Sequence, residues 1–325
     1  MPQDLKHISS PIEDELHRFE QHFRAAMKTQ VPLLDKITYY IVQRKGKQVR
    51  PMFIFLSAKV AGGETSEATF TAASLVELLH TATLVHDDVV DDAYERRSFF
   101  SVNALWKNKI AVLVGDYLLS QGLLLAVRQK QYQLLEIVSN AVKLMSEGEL
   151  LQIEKARRMD IEEPVYYDII RQKTASLIAS ACAAGAASVT QNQETIEKMR
   201  LFGEKIGIAF QIRDDLFDFG DADVGKPLGI DIKERKMTLP LIYALKNANA
   251  TQRALVINTI KRYSNIPEKV REVIQFVRQS GGLEYARAAM LQYRAEAFEI
   301  LETFPPSPSR TSLNELVRYV TEREK

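Results

Sequence analysis

The sequence is short of several residues and patterns, and each shortage narrows what the protein can be. It has one cysteine, Cys182, among 325 residues, so no disulfide can form within the chain and we expect a reducing compartment. Forty-three basic residues stand against 42 acidic ones, which gives a net charge of +1. A nearly neutral chain has no general field for nucleic acid or an anionic membrane surface, so any recognition of anions must be local.

Apolar runs of membrane-spanning length are also missing from the sequence pattern. The most apolar stretch, ASLIASACAAGAASV at 175–189, is too short and too rich in small residues to span a bilayer. The first residues, MPQDLKHISSPIEDEL, have no basic segment followed by an apolar one, so no signal peptide is predicted. We therefore expect a soluble, cytoplasmic protein.

The spacing of apolar residues predicts helices throughout the chain. Leu75, Leu79 and Ala82 recur at intervals of three and four, and no segment alternates with the period of two that a strand requires. Breaks are predicted at AGGETS (61–66), QSGG (279–282) and FPPSPSRTS (304–312). Because no segment has the composition of a linker, we expect one all-α domain over residues 1–325, with roughly ten or more helices around a central cavity.

Two acidic clusters share one spacing. The first comprises Asp87, Asp88 and Asp91, which follow the apolar segment SLVELLHTATLV as a DDxxD pattern. The second comprises Asp214, Asp215 and Asp218. On a helix, the first and last aspartates of this pattern lie one turn apart on one face and repel each other unless cations bind there. A lone cluster is explained equally well as a solvated helix end, but the repeat favours a shared function.

The type of side chain in these clusters indicates magnesium rather than zinc. Mg²⁺ prefers carboxylate oxygens, keeps several waters and shares its coordination with substrate phosphates, whereas zinc prefers histidine and thiolate ligands, which are missing here. Basic residues near the clusters or upstream of them are Arg96, Arg97, Lys226, Lys236, Lys47 and Arg50. Carboxylates with cations can hold a polyphosphate, through metal ions on one side and charge-assisted hydrogen bonds on the other.

Two common reaction classes lack their motifs. There is no GxxxxGK[ST] segment for nucleotide phosphoryl transfer and no GxSxG segment for acyl transfer. His80 and His86 lie near the first cluster, and packing beside an aspartate explains His86 as well as a direct role does. The chemistry that remains is ionisation of a carbon–oxygen bond with diphosphate as the leaving group, driven by electrostatic stabilisation of the departing charge.

These motifs resemble those of the trans-type (E)-isoprenyl diphosphate synthases over nearly the whole chain, from GKQVRP (46–51) to LVRYVTEREK (316–325). The resemblance implies a prenyltransferase that condenses isopentenyl diphosphate with an allylic diphosphate primer. It also implies a homodimer, and about three Mg²⁺ ions that assist the departure of diphosphate.

The resemblance further implies a role for each residue that matches a family motif. The residues expected to bind metal are Asp87, Asp88, Asp91, Asp214 and Asp218. The residues expected to bind the allylic diphosphate are Arg96, Lys173, Thr174, Gln211, Lys226 and Lys236. Lys173 and Lys236 are also expected to be catalytic, together with the six aspartates of the two clusters, including Asp215. The residues expected to form the isopentenyl diphosphate site are Gly46, Lys47, Arg50, His80 and Arg97.

One segment departs from the family pattern. Where the family commonly continues RRG-x-P-T, this chain has RRSFFSVN at 96–103. Ser98 replaces a glycine, and Phe99 and Phe100 enter a loop beside the expected site. The metal chemistry is unaffected by this change, but the way the loop closes is left open.

Small residues before the first cluster predict a long product. Ala82 and Thr83 stand where family members with farnesyl-length products have bulky aromatics, so we expect a tunnel, also lined by Leu79 and Val76. A product of roughly 30 to 40 carbons would leave slowly into water, since each methylene costs about 0.8 kcal/mol, and transient membrane contact would assist its release. Such products usually supply quinone side chains. Close packing of another helix on Ala82 is the alternative explanation of its size.

Several other functions are compatible with parts of this pattern. A farnesyl or geranylgeranyl diphosphate synthase would have the same motifs and a shorter tunnel. A subunit of a heteromeric synthase would typically have lost the aspartates, and a terpene cyclase would replace the second cluster. A metal-buffering helical protein would bind Mg²⁺ without diphosphate.

Overall fold

The computed structural model describes residues 3–43, 46–96, 99–220 and 229–322. Helices account for most of these residues, which confirms the all-α prediction. The helices are α1 (Gln3–Ser9), α2 (Glu13–Ala26), α3 (Pro32–Gln43), α4 (Val49–Gly62), α5 (Glu67–Val90), α6 (Val102–Trp106), α7 (Asn108–Arg128), α8 (Tyr132–Arg158), α9 (Glu163–Ile170), α10 (Ser176–Ala187), α11 (Gln193–Phe217), α12 (Ile230–Lys233), α13 (Leu239–Asn247), α14 (Ala250–Tyr263), α15 (Pro267–Gln279), α16 (Gly282–Glu302) and α17 (Pro308–Glu322).

Two short irregular turns and one β-hairpin complete the described structure. A 3₁₀ turn, Ser10–Ile12, joins α1 to α2, and a π-helical turn, Arg171–Ala175, joins α9 to α10. The hairpin pairs β1 (Glu95–Arg96) with β2 (Phe99–Phe100) in antiparallel fashion. The hairpin lies within the RRSFFSVN segment that departs from the family pattern.

The predicted helix breaks coincide with observed helix ends. AGGETS separates α4 from α5, and Ser66 at its end forms a capping box with Thr69 at the start of α5. The Ser66 hydroxyl also donates a hydrogen bond of 2.9 Å to the carbonyl of Ser188, which follows α10. QSGG separates α15 from α16, and FPPSPSRTS spans the start of α17.

The described residues form two compact units, each built from segments far apart in sequence. The first unit contains residues 1–142, 180–200 and 304–313, and the second contains residues 143–179, 201–303 and 314–325. The expectation of one domain over the whole chain stays a prediction. The first acidic cluster belongs to the first unit and the second cluster to the second.

In the first unit the core is formed around α4 and α5. Residues 51–58 of α4 are all buried, as are nearly all side chains of α5 between Thr69 and Leu79. Helix α7 approaches α5 closely at Gly122, where an added Cβ would lie 3.3 Å from a methyl carbon of Leu75. This close packing fixes the position of α5, at whose end the first acidic cluster lies.

In the second unit the core is formed where α11, α13, α15 and α16 meet. Its fully buried side chains include Ile212 and Phe219 at the end of α11, Leu239 of α13 and Val277 of α15. Because Ile212 and Phe219 flank the second acidic cluster in sequence, burial of these two side chains holds the cluster against the core.

Two helices, α5 and α7, are long and apolar enough by length and composition to cross a membrane. The sequence analysis did not identify these helices as membrane-spanning candidates, because isolated polar residues, such as Asp116 in α7, interrupt their apolar runs. Helix α5 is mostly buried within the protein, as expected of a core helix, whereas most of α7 is not. The outward side of α7 includes Val112, Leu113, Leu123 and Leu124.

Candidate active site

The first acidic cluster lies at the C-terminal end of α5. The helix ends at Val90, and the backbone N–H of Asp91 donates a hydrogen bond of 2.8 Å to the carbonyl of Asp87, so these two residues are one turn apart. Asp87 and Asp91 are exposed, whereas Asp88 is buried. The C-terminal end of a helix carries partial negative charge, which disfavours carboxylates there unless cations are bound. The position of the cluster therefore favours a cation site.

A cavity of about 110 Å³ lies beside this cluster. It is lined by two residues of the expected isopentenyl diphosphate site, Gly46 and His80, together with Asp88 of the acidic cluster. His80, which the sequence places near the first cluster, thus shares a cavity with a member of that cluster. Phe99 and Phe100 of β2 also line it.

The remaining residues of the expected isopentenyl diphosphate site are close in sequence to residues that line the cavity. Lys47 and Arg50 are half-buried at the start of α4. Arg97 lies outside the described residues, and of Arg96, assigned to the allylic diphosphate, only the backbone in β1 is described. The roles of these four residues stay predictions.

The second acidic cluster lies at the C-terminal end of α11, so the helix dipole again opposes the carboxylates. Asp214 is half-buried, with one carboxylate oxygen 3.9 Å from a guanidinium nitrogen of Arg213. Asp215 is buried, and burial raises its pKa to about 7 although hydrogen bonds to its charged form lower it. The two clusters thus share a spacing and a position on their helices.

Hydrogen bonds within the protein engage both carboxylate oxygens of Asp215. The Tyr166 hydroxyl donates to one oxygen at 2.6 Å, and the Gln211 side-chain amide donates to the other at 2.9 Å. The carbonyl oxygen of the Gln211 side chain accepts a hydrogen bond of 2.7 Å from the Thr174 hydroxyl. A continuous polar chain therefore runs from α9 through Asp215 to the π-helical turn.

Asp218, expected to bind metal, caps a short helix in this structure. Its carboxylate accepts the backbone N–H groups of Ile230 at 2.8 Å and Asp231 at 3.1 Å, at the start of α12. Burial and the neighbouring Asp231 carboxylate raise the pKa of Asp218 to about 6, against the effect of these two hydrogen bonds. The sequence pattern contained no sign of this cap, because twelve positions separate Asp218 from its partner Ile230.

The π-helical turn places two expected diphosphate ligands. Lys173 forms an ion pair with Glu149 and donates a hydrogen bond of 3.3 Å to the side-chain carbonyl of Gln152. Thr174 follows it and reaches Gln211. Single π-helical turns are frequent at functional sites because the extra residue changes the direction of neighbouring side chains.

A second cavity, of about 160 Å³, brings together most of the residues assigned to the allylic diphosphate. Lys173, Thr174, Gln211 and Lys236 line it, together with Asp215. Lys226 belongs to residues 221–228, outside the described part of the chain. The cavity contains cations and amide donors next to a carboxylate, which is the composition that a metal-bound diphosphate requires.

Three further residues of this cavity were missed by the sequence pattern, namely Gln152, Tyr166 and Asp231. Asp231 lies 3.6 Å from the ammonium of Lys236, which also pairs with Glu234. The short distance along the chain between Asp231 and Lys236 could have indicated this pair. No comparable signal identified Tyr166, because its contact with Asp215 spans 49 positions.

The residues expected to line a product tunnel are mostly buried in α5. Val76, Leu79 and Ala82 are buried, and Leu79 lies against Gly122 of α7. The Thr83 hydroxyl donates a hydrogen bond of 2.9 Å to the carbonyl of His80. The tunnel itself stays a prediction.

Protein side chains alone do not form a closed metal cage in the described residues, where no group of three or more acidic, histidine or cysteine side chains converges. The donors that are present are hard carboxylate oxygens, accessible at two helix ends. This set fits Mg²⁺, which is normally held by a few carboxylates together with waters and substrate phosphates.

Comparison with known proteins agrees over nearly the whole chain. The polyprenyl synthetase family matches residues 31–277. The chain is 35% identical to the all-trans-nonaprenyl-diphosphate synthase (geranyl-diphosphate specific) of Rhodobacter capsulatus, over 97% of each chain. It superposes on a decaprenyl diphosphate synthase from Rhodobacter capsulatus with a TM-score of 0.92 at 32% identity, covering 98% of this chain and 99% of that chain. For the geranylgeranyl pyrophosphate synthase from Bacteroides thetaiotaomicron the TM-score is 0.84 at 38% identity, with 98% and 99% covered.

Proposed function

The chain belongs to the polyprenyl synthetase family and is a trans-prenyltransferase, and on that basis we propose that it elongates an allylic diphosphate primer with isopentenyl diphosphate to a long-chain, all-trans polyprenyl diphosphate. The observation that carries this proposal is the position of the two DDxxD clusters. Each lies at the C-terminal end of a long helix, where carboxylates are unfavourable without cations.

We propose that the second cavity holds the allylic diphosphate. Lys173 and Lys236 offer charge-assisted hydrogen bonds to its oxygens, and Gln211 offers the second N–H of its side-chain amide, while the Thr174 hydroxyl lines the cavity and holds the Gln211 carbonyl. These donors are already positioned by the π-helical turn and by the polar chain through Asp215, so they need little reorganisation as charge develops on the leaving diphosphate. Loss of diphosphate leaves an allylic cation, which the double bond of isopentenyl diphosphate attacks before a proton is lost.

We propose Mg²⁺ as the cofactor, about three ions in number, held by Asp87, Asp88, Asp91, Asp214 and Asp218 directly or through water. When bound, magnesium supplies Lewis-acid stabilisation of the diphosphate oxygens. The role of the carboxylates themselves is to hold the positive charge of the ions at the ends of α5 and α11. For Asp218 this role requires that its carboxylate bind metal while it caps α12, or leave the cap.

We propose that the product is long. Ala82 and Thr83 are small at the positions where a bulky side chain would stop the growing chain early, and the similarity to the nonaprenyl and decaprenyl synthases supports this choice. The alternative is a geranylgeranyl product, favoured by the 38% identity to the Bacteroides thetaiotaomicron enzyme. A non-catalytic subunit is disfavoured because both aspartate clusters are intact.

A product-length assay tests these proposals. Purified protein, Mg²⁺, labelled isopentenyl diphosphate and a farnesyl primer are incubated, and the dephosphorylated products are resolved by chain length. Products of about 30 carbons or more, which detergent should help to release because their burial resists transfer to water, would support the long-chain proposal. A geranylgeranyl end product would retain the chemistry but overturn the proposed length. Inactivity with every allylic primer would favour the subunit.

We also propose a homodimer that works in the cytoplasm. Helix α7 has apolar side chains on its outward side, among them Leu113, Leu123, Leu124 and Val127. Exposed apolar side chains gathered on one side of a helix are typical of a protein interface, and a second copy of the chain is the partner expected from the family. Transient contact of the long product with a membrane would accompany its release.

A further inference from the structure

The two phenylalanines of β2 are apolar but poorly covered. Phe99 is 46% exposed and Phe100 is 58% exposed. They belong to the segment RRSFFSVN, which replaces the glycine-containing pattern expected at this point. Two adjacent exposed aromatic side chains on a short hairpin offer apolar surface to a bound group.

The hairpin is held firmly at its base. The Tyr40 hydroxyl donates a hydrogen bond of 2.6 Å to the backbone carbonyl of Phe100. The ring of Tyr40 in turn packs edge-on against Trp106, with 5.1 Å between ring centroids. On the other side, the Ser101 hydroxyl donates to the carbonyl of Ala93 at 2.6 Å. These contacts fix β2 at its position beside the first cavity.

The first cavity is small and mostly apolar. Beside Phe99 and Phe100 its wall includes Phe23, Val42, Leu84, Val85 and Val102, and its volume of about 110 Å³ suits a small branched hydrocarbon group rather than a long chain. Gly46 and His80, expected at the isopentenyl diphosphate site, line the same cavity. Two residues expected to bind the substrate and an apolar wall therefore meet in one cavity, which Glu77 and Asp88 also line.

We infer that Phe99 and Phe100 form the wall that receives the five-carbon group of isopentenyl diphosphate and sets the size of the substrate that condenses. This inference rests on the proposed function and adds to it a pair of specificity-determining residues. The Tyr40 hydrogen bond holds the backbone of Phe100 in place beside the cavity, so a group larger than isopentenyl meets the aromatic rings.

The test compares steady-state kinetics of the wild-type protein with those of the double variant Phe99→Ala/Phe100→Ala. Loss of the apolar wall should raise KM for isopentenyl diphosphate about tenfold while KM for the allylic primer stays within twofold, in keeping with the 10- to 200-fold that one methylene in a pocket is worth. The preference for isopentenyl diphosphate over its homologue with an ethyl in place of the methyl group should fall by at least about tenfold.

Two further proteins keep the result interpretable. Tyr94→Ala removes an exposed aromatic side chain that precedes the hairpin and does not line the cavity, and its constants should match those of the wild type. Phe99→Leu/Phe100→Leu keeps an apolar wall of smaller size and should show a smaller change in KM than the alanine pair. Thermal unfolding monitored by circular dichroism shows whether each variant is folded.

The outcomes separate this inference from the proposed function. If the wild type incorporates no isopentenyl diphosphate with any primer, the proposed function fails. If the wild type elongates but the alanine pair keeps both its KM and its size preference, the inference is overturned. It is overturned equally if KM rises by the same factor for both substrates, because that result indicates general damage to the loop.

Discussion

At the scale of single residues, the aspartates of each acidic cluster divide into buried and more exposed members. The middle aspartates, Asp88 and Asp215, are each 4% exposed, whereas Asp87 and Asp91 are exposed and Asp214 is half-buried. Neighbouring positions on a helix are about 100° apart, while positions four apart nearly coincide in direction. The exposed aspartates can therefore face cations, whereas Asp218, at the end of the second cluster, is engaged by the backbone of α12.

This division predicts the effect of removing one accessible carboxylate. Asp87→Asn keeps the size of the side chain but removes its charge, so the rate of condensation should fall by at least about 10² to 10³, as for loss of one preorganised electrostatic contact. Steady-state turnover at saturating Mg²⁺ measures this change. Asp92→Asn is the matched control, because Asp92 is exposed, matches no ligand position and has a positive φ that asparagine tolerates. Similar turnover in both variants would contradict the assignment of Asp87 to metal.

Tyr166 is predicted to position Asp215 rather than to touch substrate. Its hydrogen bond lowers the Asp215 pKa against the larger effect of burial, so Tyr166→Phe should raise that pKa further above about 7. If the ionised form of Asp215 is the active one, the acidic side of the pH–rate profile moves to higher pH. At pH 7 kcat should fall severalfold, because a smaller fraction of Asp215 is then ionised, with KM for isopentenyl diphosphate unchanged.

The adjacent residue supplies the control for that experiment. Tyr167 packs against the ring of Tyr293, with 5.6 Å between centroids, and makes no described contact with Asp215. Tyr167→Phe should leave the pH–rate profile in place. A profile for Tyr166→Phe that superposes on the wild-type curve would show that the Asp215 hydrogen bond does not matter to the reaction.

At the scale of helices, close contacts at small residues set the packing in each unit. An added Cβ at Gly185 of α10 would lie 2.3 Å from the backbone carbonyl oxygen of Ile54 in α4. Backbone cannot move aside as a flexible side chain can, so the α4 and α10 contact depends on glycine at this position.

This contact predicts a loss of stability that helix propensity alone would not. Alanine favours a helix over glycine by about 1 kcal/mol, but Gly185→Ala must separate α10 from α4, and overpacking of this kind costs about 1 to 3 kcal/mol. The free energy of unfolding in urea should therefore fall. Gly122→Ala is the comparison, since its nearest neighbour would be a leucine methyl at 3.3 Å, and its effect should be much smaller. Equal effects of the two substitutions would argue against the backbone clash.

The π-helical turn shows how one element serves the site. Its extra residue sends Lys173 toward Glu149 and Gln152, while Thr174 turns to Gln211. A regular helix through the same residues would rotate one of these side chains away. The geometry of the second cavity therefore depends on a local irregularity in an otherwise regular pair of helices.

At the scale of the whole molecule, the outward side of α7 is predicted to hold two copies of the chain together. Leu113→Glu/Leu124→Glu places two charges on this surface and should convert the protein from twice the mass of one chain to the mass of one chain in sedimentation equilibrium. Leu255→Glu changes a similarly exposed leucine on α14 and should leave the mass unchanged. A wild-type protein that sediments as a single chain would overturn the homodimer.

The sequence by itself determined those properties that arise from neighbouring residues. The period of apolar residues predicted the helices, because burial of one helix face needs only that spacing. The DDxxD spacing predicted paired carboxylates one turn apart, and residues in four motifs were enough to indicate the family. In the second cavity, Lys173, Thr174, Gln211 and Lys236 meet as the motifs implied.

Only the tertiary structure decided the contacts between residues that are distant in the chain. Tyr166 reaches Asp215 across 49 positions, and Tyr40 reaches Phe100 across 60. Folding likewise brings the backbone of α12 to the carboxylate of Asp218, whose role in metal binding stays a prediction. Such contacts depend on the packing of whole helices, which is set by the combined shape of many side chains and leaves no periodic signal in the sequence.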